Sequence, residues 1–134
     1  MRFAFDVLRA VRKRVGDKPI IGLRYSADDT LANGFSARDG ITISQMLKDS
    51  GLVDYLNIVR GHIDTDAGLT DLIPVQGMRA NPHLDFAGEI RAATGFPTFH
   101  AAKIQDVTTA RHAIASGKLD MVGMTRAQIA DPHI

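Results

Sequence analysis

Positively charged side chains follow four short apolar runs of the chain, and these residues are the best placed to bind a ligand. They are Arg24 after "IIGL", Arg60 after "YLNIV", Lys103 after "FPTFHAA" and Arg126 after "DMVGMT". If the runs are parallel strands, their carboxyl ends meet at one edge of a sheet, where ligands gather. Four cations at one edge repel each other unless an anion or nearby carboxylates offset the charge. The pattern therefore indicates anion binding.

Lys103 and Arg126 stand in the loops after the last two runs. In a parallel barrel, the loops after the last two strands commonly hold a phosphate group. Phosphate is thus the favoured anion. A second interpretation stays open, in which neighbouring aspartates neutralise the cations and leave them on a solvated rim; these aspartates are Asp28, Asp29, Asp64 and Asp66.

The segment "GHIDTD" is a second candidate for chemistry, because His62 and Asp64 alternate along it and Asp66 follows. Such alternation suggests a metal site or the start of a calcium loop, but the full D-x-D-x-D-G pattern and the distal glutamate are missing. We therefore expect no bound metal. The favoured interpretation is a substrate-facing loop, in which Asp64 or Asp66 binds a cationic group and His62 a polar one. The remaining histidines show no spacing typical of a catalytic pair.

The apolar pattern predicts four helices and four strands in strict alternation. Thr42 and Gln45 have the spacing of a capping box and predict the start of the second helix. A long segment from Gly61 to Pro82 is predicted to be irregular, and a loop of this length usually has a function. The predicted helices are 2–15, 43–51, 83–95 and 106–117, and the predicted strands are 19–26, 53–61, 96–104 and 119–126.

Alternating helices and short buried strands predict an α/β fold with a parallel sheet and right-handed crossovers. A barrel and an open doubly wound sheet both satisfy this pattern. No G-x-G-x-x-G turn follows any strand, which disfavours the open dinucleotide-binding sheet. Because an eight-stranded barrel usually needs about 250 residues, four strands correspond to half of a (β/α)8 TIM barrel. We expect the chain to be a piece of such a barrel.

Composition limits the classes of partner. The chain has 134 residues, 45% of them hydrophobic and 23% charged, with a net charge of +1, so no basic surface for nucleic acid is expected. It contains no cysteine, which excludes disulfides, thiolate zinc sites and cysteine-ligated iron–sulfur clusters in this segment. No apolar run reaches the roughly eighteen residues of a membrane span. We expect a cytoplasmic protein with no membrane contact and no export signal.

The segments "IIGLRYS", "GHIDTD", "FHAAKIQD" and "DMVGMTRAQIADPHI" resemble the old yellow enzyme class of flavin oxidoreductases along the whole chain. The similarity is greatest to the branch with trimethylamine dehydrogenase, 2,4-dienoyl-CoA reductase and the N-methylproline or dimethylglycine demethylases. The resemblance implies that residues 1–134 form a partial FMN-binding TIM-barrel domain, which contains family strands five to eight and lacks strands one to four.

The resemblance also implies roles for five residues. Arg24 matches the strand-five arginine at the pyrimidine edge of FMN, where a positive charge stabilises the reduced flavin. Ala102 and Lys103 match the strand-seven pair that holds the FMN phosphate, and Thr125 and Arg126 match the pair that completes this site. Many relatives have glycine where Ala102 and Thr125 stand. The cysteines that bind an iron–sulfur cluster in related full-length proteins are absent here.

The function implied is that of a fragment of an FMN-dependent oxidoreductase, which takes a hydride equivalent from an N-methylated amine or amino acid while Asp64 or His62 orients the substrate. The isolated chain is expected to be inactive. One alternative is an enoate or 2,4-dienoyl-CoA reductase-type flavoenzyme. Another is a non-catalytic half barrel that pairs with a second copy to cover its open edges. A different phosphate-binding barrel enzyme, such as an aldolase or isomerase, is a weaker alternative.

Overall fold

The computed structural model describes residues 1–134, in which four strands are separated from one another by helices. The elements, in chain order, are α1 (Arg2–Val15), β1 (Gly22–Asp28), α2 (Ala37–Ser50), β2 (Tyr55–Arg60), α3 (Asp66–Leu72), α4 (Leu84–Thr94), β3 (Thr98–His100), α5 (Val107–Ala115), β4 (Met121–Val122) and α6 (Thr125–Ala130).

All four strands belong to one parallel sheet, and their order in the sheet is β1-β2-β3-β4. The strands lie in the sheet in the same order as in the chain, as in a barrel. In a doubly wound sheet, the order of the strands reverses at a switch point. The prediction of an α/β fold with four parallel strands in the order of half a barrel is confirmed. No helix is both long enough and apolar enough to cross a membrane.

One face of the sheet is covered by helices and the other is open. Leu56 and Ile58 of β2 are fully buried and pack in the core with residues of α2, α4 and α5. Asn57, which lies between them in β2, is on the opposite face. There the strand register aligns Asn57 with Arg24 of β1, Phe99 of β3 and Met121 of β4. Arg24 is exposed and Met121 is 42% exposed. The uncovered face is therefore continuous across the sheet.

Helix α1 has the predicted bounds, but its apolar row is only partly buried. Leu8 is in the core, whereas Val11 and Val15 stay 39% and 45% exposed. The helix is held to the sheet by Arg12, whose Nη2 donates to Asp54 Oδ2 at 2.9 Å. Helix α1 is therefore attached mainly by Leu8, by the partly buried Phe5 and by Arg12, rather than by its whole apolar face.

Helix α2 begins six residues earlier than predicted. Its N-cap is Ser36, whose Oγ accepts from Asp39 N at 3.3 Å while Ser36 N donates to Asp39 Oδ2 at 2.9 Å. The prediction that Thr42 caps this helix was wrong, because Thr42 lies inside the helix and its Oγ1 donates to Arg38 O. A capping box does open the helix, but it is formed by a different pair of residues.

Several other boundaries differ from the prediction. Strand β1 begins at Gly22 rather than at residue 19, because the backbone N–H of Ile21 donates to Asp54 Oδ2 at 2.7 Å. The strand continues to Asp28, so Arg24 lies inside it and not at its end. Strands β3 and β4 have only three and two residues. Thr125 and Arg126 do not end β4 but form the start of α6.

The segment from 61 to 82 is not wholly irregular, since it contains α3. Thr65 caps this helix, and its Oγ1 accepts from Gly68 N at 3.0 Å. A threonine followed by Asp66 is an ordinary start for a helix. The prolines and glycines around it led to the prediction of an irregular loop instead.

Asp120 connects α4, β3 and β4 through a charged network. Arg91 Nε and Nη2 donate to its two carboxylate oxygens at 2.8 and 2.9 Å, and Thr98 N donates to Oδ2 at 2.9 Å. The Arg91 hydrogen bond, helped by that from Thr98, holds the pKa of Asp120 below its usual value against the opposing effect of burial. A lowered pKa in the folded state means that the carboxylate stabilises the fold above its unfolded-state pKa of about 4.

Replacing Asp120 with Asn should therefore lower the thermal unfolding midpoint at pH 7 and have a shrinking effect as the pH falls through 4 and below. The wild-type carboxylate becomes protonated over this range and loses the same interactions. Calorimetry of both proteins between pH 7 and pH 3 measures the difference. Asp17→Asn is the control, since Asp17 is exposed and forms no ion pair. A difference between wild type and Asp120→Asn that stayed constant with pH would contradict the assignment.

Candidate anion-binding site

A pocket of about 360 Å³ lies at the carboxyl end of the sheet. All five residues predicted to bind the cofactor line it: Arg24, Ala102, Lys103, Thr125 and Arg126. Arg60 also lines it, so the four cations that follow the apolar runs converge as the sequence pattern predicts. The parallel strands place these residues together although Arg24 and Arg126 are 102 positions apart.

Lys103 and Arg126 bind carbonyl groups of one short loop, residues 74–78 between α3 and α4, which we name the 74–78 loop. Lys103 Nζ donates to Val75 O at 2.8 Å and to Met78 O. Arg126 Nη2 donates to Pro74 O at 2.9 Å. Carbonyl oxygens carry no net charge, and no carboxylate lies within 4 Å of either cation. Both positive charges therefore remain available to an anion.

Arg60 is the cation that a carboxylate does neutralise. Its Nε donates to Asp28 Oδ2 at 2.9 Å, and Asp28 is only 7% exposed. The Asp28 Oδ1 atom also accepts from Thr30 N at 2.9 Å, and the Arg60 guanidinium lies 5.2 Å from the centre of the Phe86 ring. Local neutralisation by aspartate, which the sequence left open for all four cations, is thus seen at Arg60 and is absent at Arg24, Lys103 and Arg126.

Small residues line the pocket beside Lys103 and Arg126. Gly123 lies so close to β3 that an added Cβ would stand 2.5 Å from Ala101 Cβ and 3.1 Å from the Phe99 ring. Ala102 next to it is buried. Lys103 has a left-handed backbone conformation, with φ of +53°, which turns the chain sharply after β3. Two unneutralised cations above small side chains suit a phosphate group, so the residues present fit the phosphate end of a flavin nucleotide.

Two histidines also line this pocket, and the sequence did not predict them there. His100 is 2% exposed and its Nδ1 lies 2.8 Å from Ile58 O, while His83 is 3% exposed and its Nε2 lies 2.9 Å from Asp71 O. Burial lowers the pKa of His100, and the nearby His83 and Arg24 lower it further, against the hydrogen bond to Ile58. The only sequence signal was the period-two alternation of Thr98 and His100, which marks a buried strand face.

His62 and Asp64 lie outside the lining of the pocket, beside the start of α3. His62 Nδ1 accepts from Asp64 N at 3.1 Å, and an added Cβ at Gly68 would stand 2.4 Å from His62 Cε1. The Asp64 side chain is exposed. No group of three or more His, Cys, Asp or Glu side chains is arranged to hold a metal ion. The roles of His62 and Asp64 toward a substrate stay predictions.

Comparison with known proteins identifies the family. The sequence is 72% identical to the "probable N-methylproline demethylase" of Rhizobium meliloti (strain 1021), over 100% of this chain and 20% of that protein. It is 42% identical to the "multifunctional alkene reductase/demethylase OYE" of Caballeronia cordobensis, over 100% of this chain and 19% of that protein. The chain therefore spans about a fifth of the length of these relatives.

The fold likewise matches only a part of larger proteins of known structure. A 2-naphthoyl-CoA reductase, solved as a complex with 2-naphthoyl-CoA, superposes on 98% of this chain with a TM-score of 0.81 and 25% identity, and 20% of that protein is covered. The predicted old yellow enzyme-like family is confirmed, and a flavin is the cofactor class that the family implies. Because its sequence matches the characteristic pattern of that family from residue 1 to residue 134, the chain belongs to the NADH:flavin oxidoreductase / NADH oxidase family.

Proposed function

We propose that the chain supplies the phosphate-binding part of the FMN site of an oxidoreductase that acts on an N-methylated amine or amino acid. The observation that carries this proposal is the pair of cations Lys103 and Arg126, which share one pocket and have no carboxylate partner. The family implies a flavin, and a phosphate group distinguishes FMN from riboflavin. We also propose that β1 to β4 correspond to strands five to eight of the family barrel, which makes residues 1–134 a partial FMN-binding domain.

The roles proposed for the site residues follow from their positions. Lys103 and Arg126 hold the phosphate by charge-assisted hydrogen bonds, beside the small residues Ala102 and Thr125. Arg24 lies on the open face of β1, where its positive charge can approach the flavin ring and favour added negative charge there. Bound FMN supplies the acceptor for a hydride equivalent. The protein contributes the binding, orientation and electrostatics of the cofactor.

N-methylated compounds are proposed as substrates because both curated relatives carry demethylase in their names and one is named for N-methylproline. The exposed Asp64 carboxylate would attract the positively charged amine of such a small molecule, and His62 would offer a polar contact. Both residues stand after β2, at the end of the sheet where the pocket opens. A cytoplasmic location stays a prediction of the sequence.

Titration of the 134-residue chain with FMN and with riboflavin tests the proposal. We expect FMN to show a shifted absorbance spectrum and quenched fluorescence, and riboflavin to bind more weakly because it lacks the phosphate. Isothermal calorimetry measures both dissociation constants. Free-flavin fluorescence that stays unchanged at high protein concentration would refute FMN binding by this chain.

Reduction of alkenes is the second candidate activity. The relative from Caballeronia cordobensis is named as an alkene reductase as well as a demethylase, and the superposed structure is a reductase. The two activities move electrons in opposite directions, since demethylation reduces the flavin and alkene reduction oxidises it. Anaerobic mixing of a flavin-loaded enzyme containing this segment with N-methylproline should bleach the flavin if the first proposal is correct. No bleaching, together with reoxidation of reduced enzyme by an enoate, would favour the second.

A structural role is also proposed, in which two copies pair at the open edges of the sheet and enclose its uncovered face. That face includes Phe99 and Met121, and an unpaired parallel sheet presents free backbone groups at its edges. Light scattering should then report about twice the 14.5 kDa of one chain. A monodisperse monomer at high concentration would exclude this pairing.

A further inference from the structure

The 74–78 loop is the only partner of the two cations that face the proposed phosphate. Every side-chain hydrogen bond of Lys103 and Arg126 ends on a carbonyl of this loop: Val75 O, Met78 O and Pro74 O. We propose that the 74–78 loop is a positioning element, which holds both cations in place for the phosphate without neutralising them. The inference rests on the proposed function, since the anion is taken to be the phosphate of FMN.

The number of N–H donors shows why the carbonyls can hold the cations and still leave them able to bind an anion. A lysine ammonium has three N–H donors and an arginine guanidinium has five. Lys103 uses two donors on the loop and Arg126 uses one, so both retain donors for an anion. Long cationic side chains lose much conformational freedom when they bind. Carbonyl contacts that order them beforehand remove this cost from the binding of the anion.

The loop is itself held in a defined shape. Met78 N donates to Val75 O at 3.3 Å, which closes a four-residue turn over positions 75–78. Gly77 is the third residue of this turn and has φ of +87°, as a type II turn requires. Pro74 is fully buried and fixes the start of the turn. The turn thereby directs the carbonyls of Val75 and Met78 toward the same ammonium group.

The end of α3, ahead of the turn, is anchored by a buried histidine at the N-cap of α4. His83 Nε2 lies 2.9 Å from Asp71 O, and His83 is 3% exposed. A carbonyl only accepts, so Nε2 carries the hydrogen in this bond. The segment between α3 and α4 therefore has its two ends joined by His83, and its turn is held by Lys103.

The alternative to positioning is competition, in which the carbonyls and the anion bind the same donors of the cations. Competition and positioning predict changes of opposite sign. Loosening the turn would strengthen phosphate binding if the carbonyls compete and weaken it if they position. The spare donors on both cations favour positioning.

The substitution Gly77→Ala tests the inference, and Gly16→Ala is its matched control. Both glycines have positive φ, +87° and +77°, and an added Cβ at either would meet no atom within 4 Å. Both substitutions therefore place alanine at a positive φ without a steric clash, but only Gly77 lies in the loop. We expect Gly77→Ala to weaken FMN binding roughly fivefold to tenfold by loss of preorganisation and to leave riboflavin binding unchanged. Gly16→Ala should change neither.

Rescue and contradiction are both measurable. Gly77→Asn should retain most of the FMN affinity, because asparagine adopts the left-handed conformation more readily than alanine. Tighter FMN binding by Gly77→Ala, or an equal change for FMN and riboflavin, would overturn the positioning role. Circular dichroism confirms that each variant is folded before its affinity is compared.

A measurement without flavin separates this inference from the proposed function. Nitrogen-15 NMR of the lysine ammonium groups should show slowed hydrogen exchange at Lys103 in the parent chain, assigned by its absence in Lys103→Arg. This signal should be lost in Gly77→Ala and kept in Gly16→Ala. A freely exchanging Lys103 ammonium in the parent would overturn the inference. If the ammonium is held but FMN does not bind, the proposed function fails and the positioning of the cation stands.

Discussion

Replacing Arg126 with alanine is expected to weaken FMN binding by about 1.5–3 kcal/mol, the range for a hydrogen bond to a charged group. This corresponds to roughly a tenfold to hundredfold rise in the dissociation constant. Arg126 lines the pocket beside Lys103, and its only side-chain hydrogen bond is to the uncharged carbonyl of Pro74. Riboflavin has no phosphate, so its affinity should stay the same. Calorimetric titration of the variant with both flavins measures the two changes.

The control for Arg126 is Arg14→Ala, which removes the same charge from an exposed position on α1. It should leave both affinities unchanged at moderate salt, because charges beyond a Debye length of about 10 Å are largely screened. Added salt should reduce FMN affinity in the parent chain more than in Arg126→Ala. An unchanged FMN affinity in Arg126→Ala would remove this residue from the site.

Replacing Gly40 with alanine is expected to destabilise the fold by about 3 kcal/mol, at the upper end of the range for overpacking. Helix α2 approaches β1 so closely at Gly40 that an added Cβ would lie 2.0 Å from Ala27 O. This oxygen belongs to the backbone of β1 and cannot swing away as a side chain would. The Tyr25 hydroxyl donates to Gly40 O at 2.9 Å and fixes the same approach. The clash outweighs the roughly 1 kcal/mol that alanine gains in helix propensity.

Urea unfolding measures the effect, and Gly51→Ala at the other end of α2 is the control. Gly51 has φ of +64°, and an added Cβ would meet no atom within 4 Å. Alanine there should cost only the backbone strain, about 1 kcal/mol. Equal losses at Gly40 and Gly51 would show that the close approach of α2 to β1 does not limit stability.

Local signals in the sequence predicted the ends of helices well. Gly16 follows the last residue of α1 as predicted, and α2 and α4 end one residue before the predicted Gly51 and Gly95, because a positive φ just after a helix favours glycine regardless of the rest of the fold. Helix starts were predicted less well, since Thr42 was expected to cap α2 and the structure places the cap at Ser36. The choice between them depends on how α2 packs on β1, and this contact joins residues distant in sequence.

The candidate site was predictable only where residue type carries the chemistry. Lys103 and Arg126 could be expected in one pocket because parallel strands end at one edge of the sheet. The carbonyls of the 74–78 loop could not be expected, because every residue has a carbonyl and none marks its partner in the sequence. The pairing of Arg60 with Asp28 was one of several possible pairings, and only the register of β1 with β2 selects it.

The unequal lengths of the two edge strands limit how two copies can close into one barrel. Strand β1 has seven residues and β4 has two, and these strands are the two edges of the sheet. Twofold closure needs two seams, each joining β1 of one copy to β4 of the other. The shorter strand limits each seam to a few main-chain hydrogen bonds. Such a pair would be held together mainly by side chains on the uncovered face of each sheet. Its assembly should therefore be weak and strongly dependent on concentration.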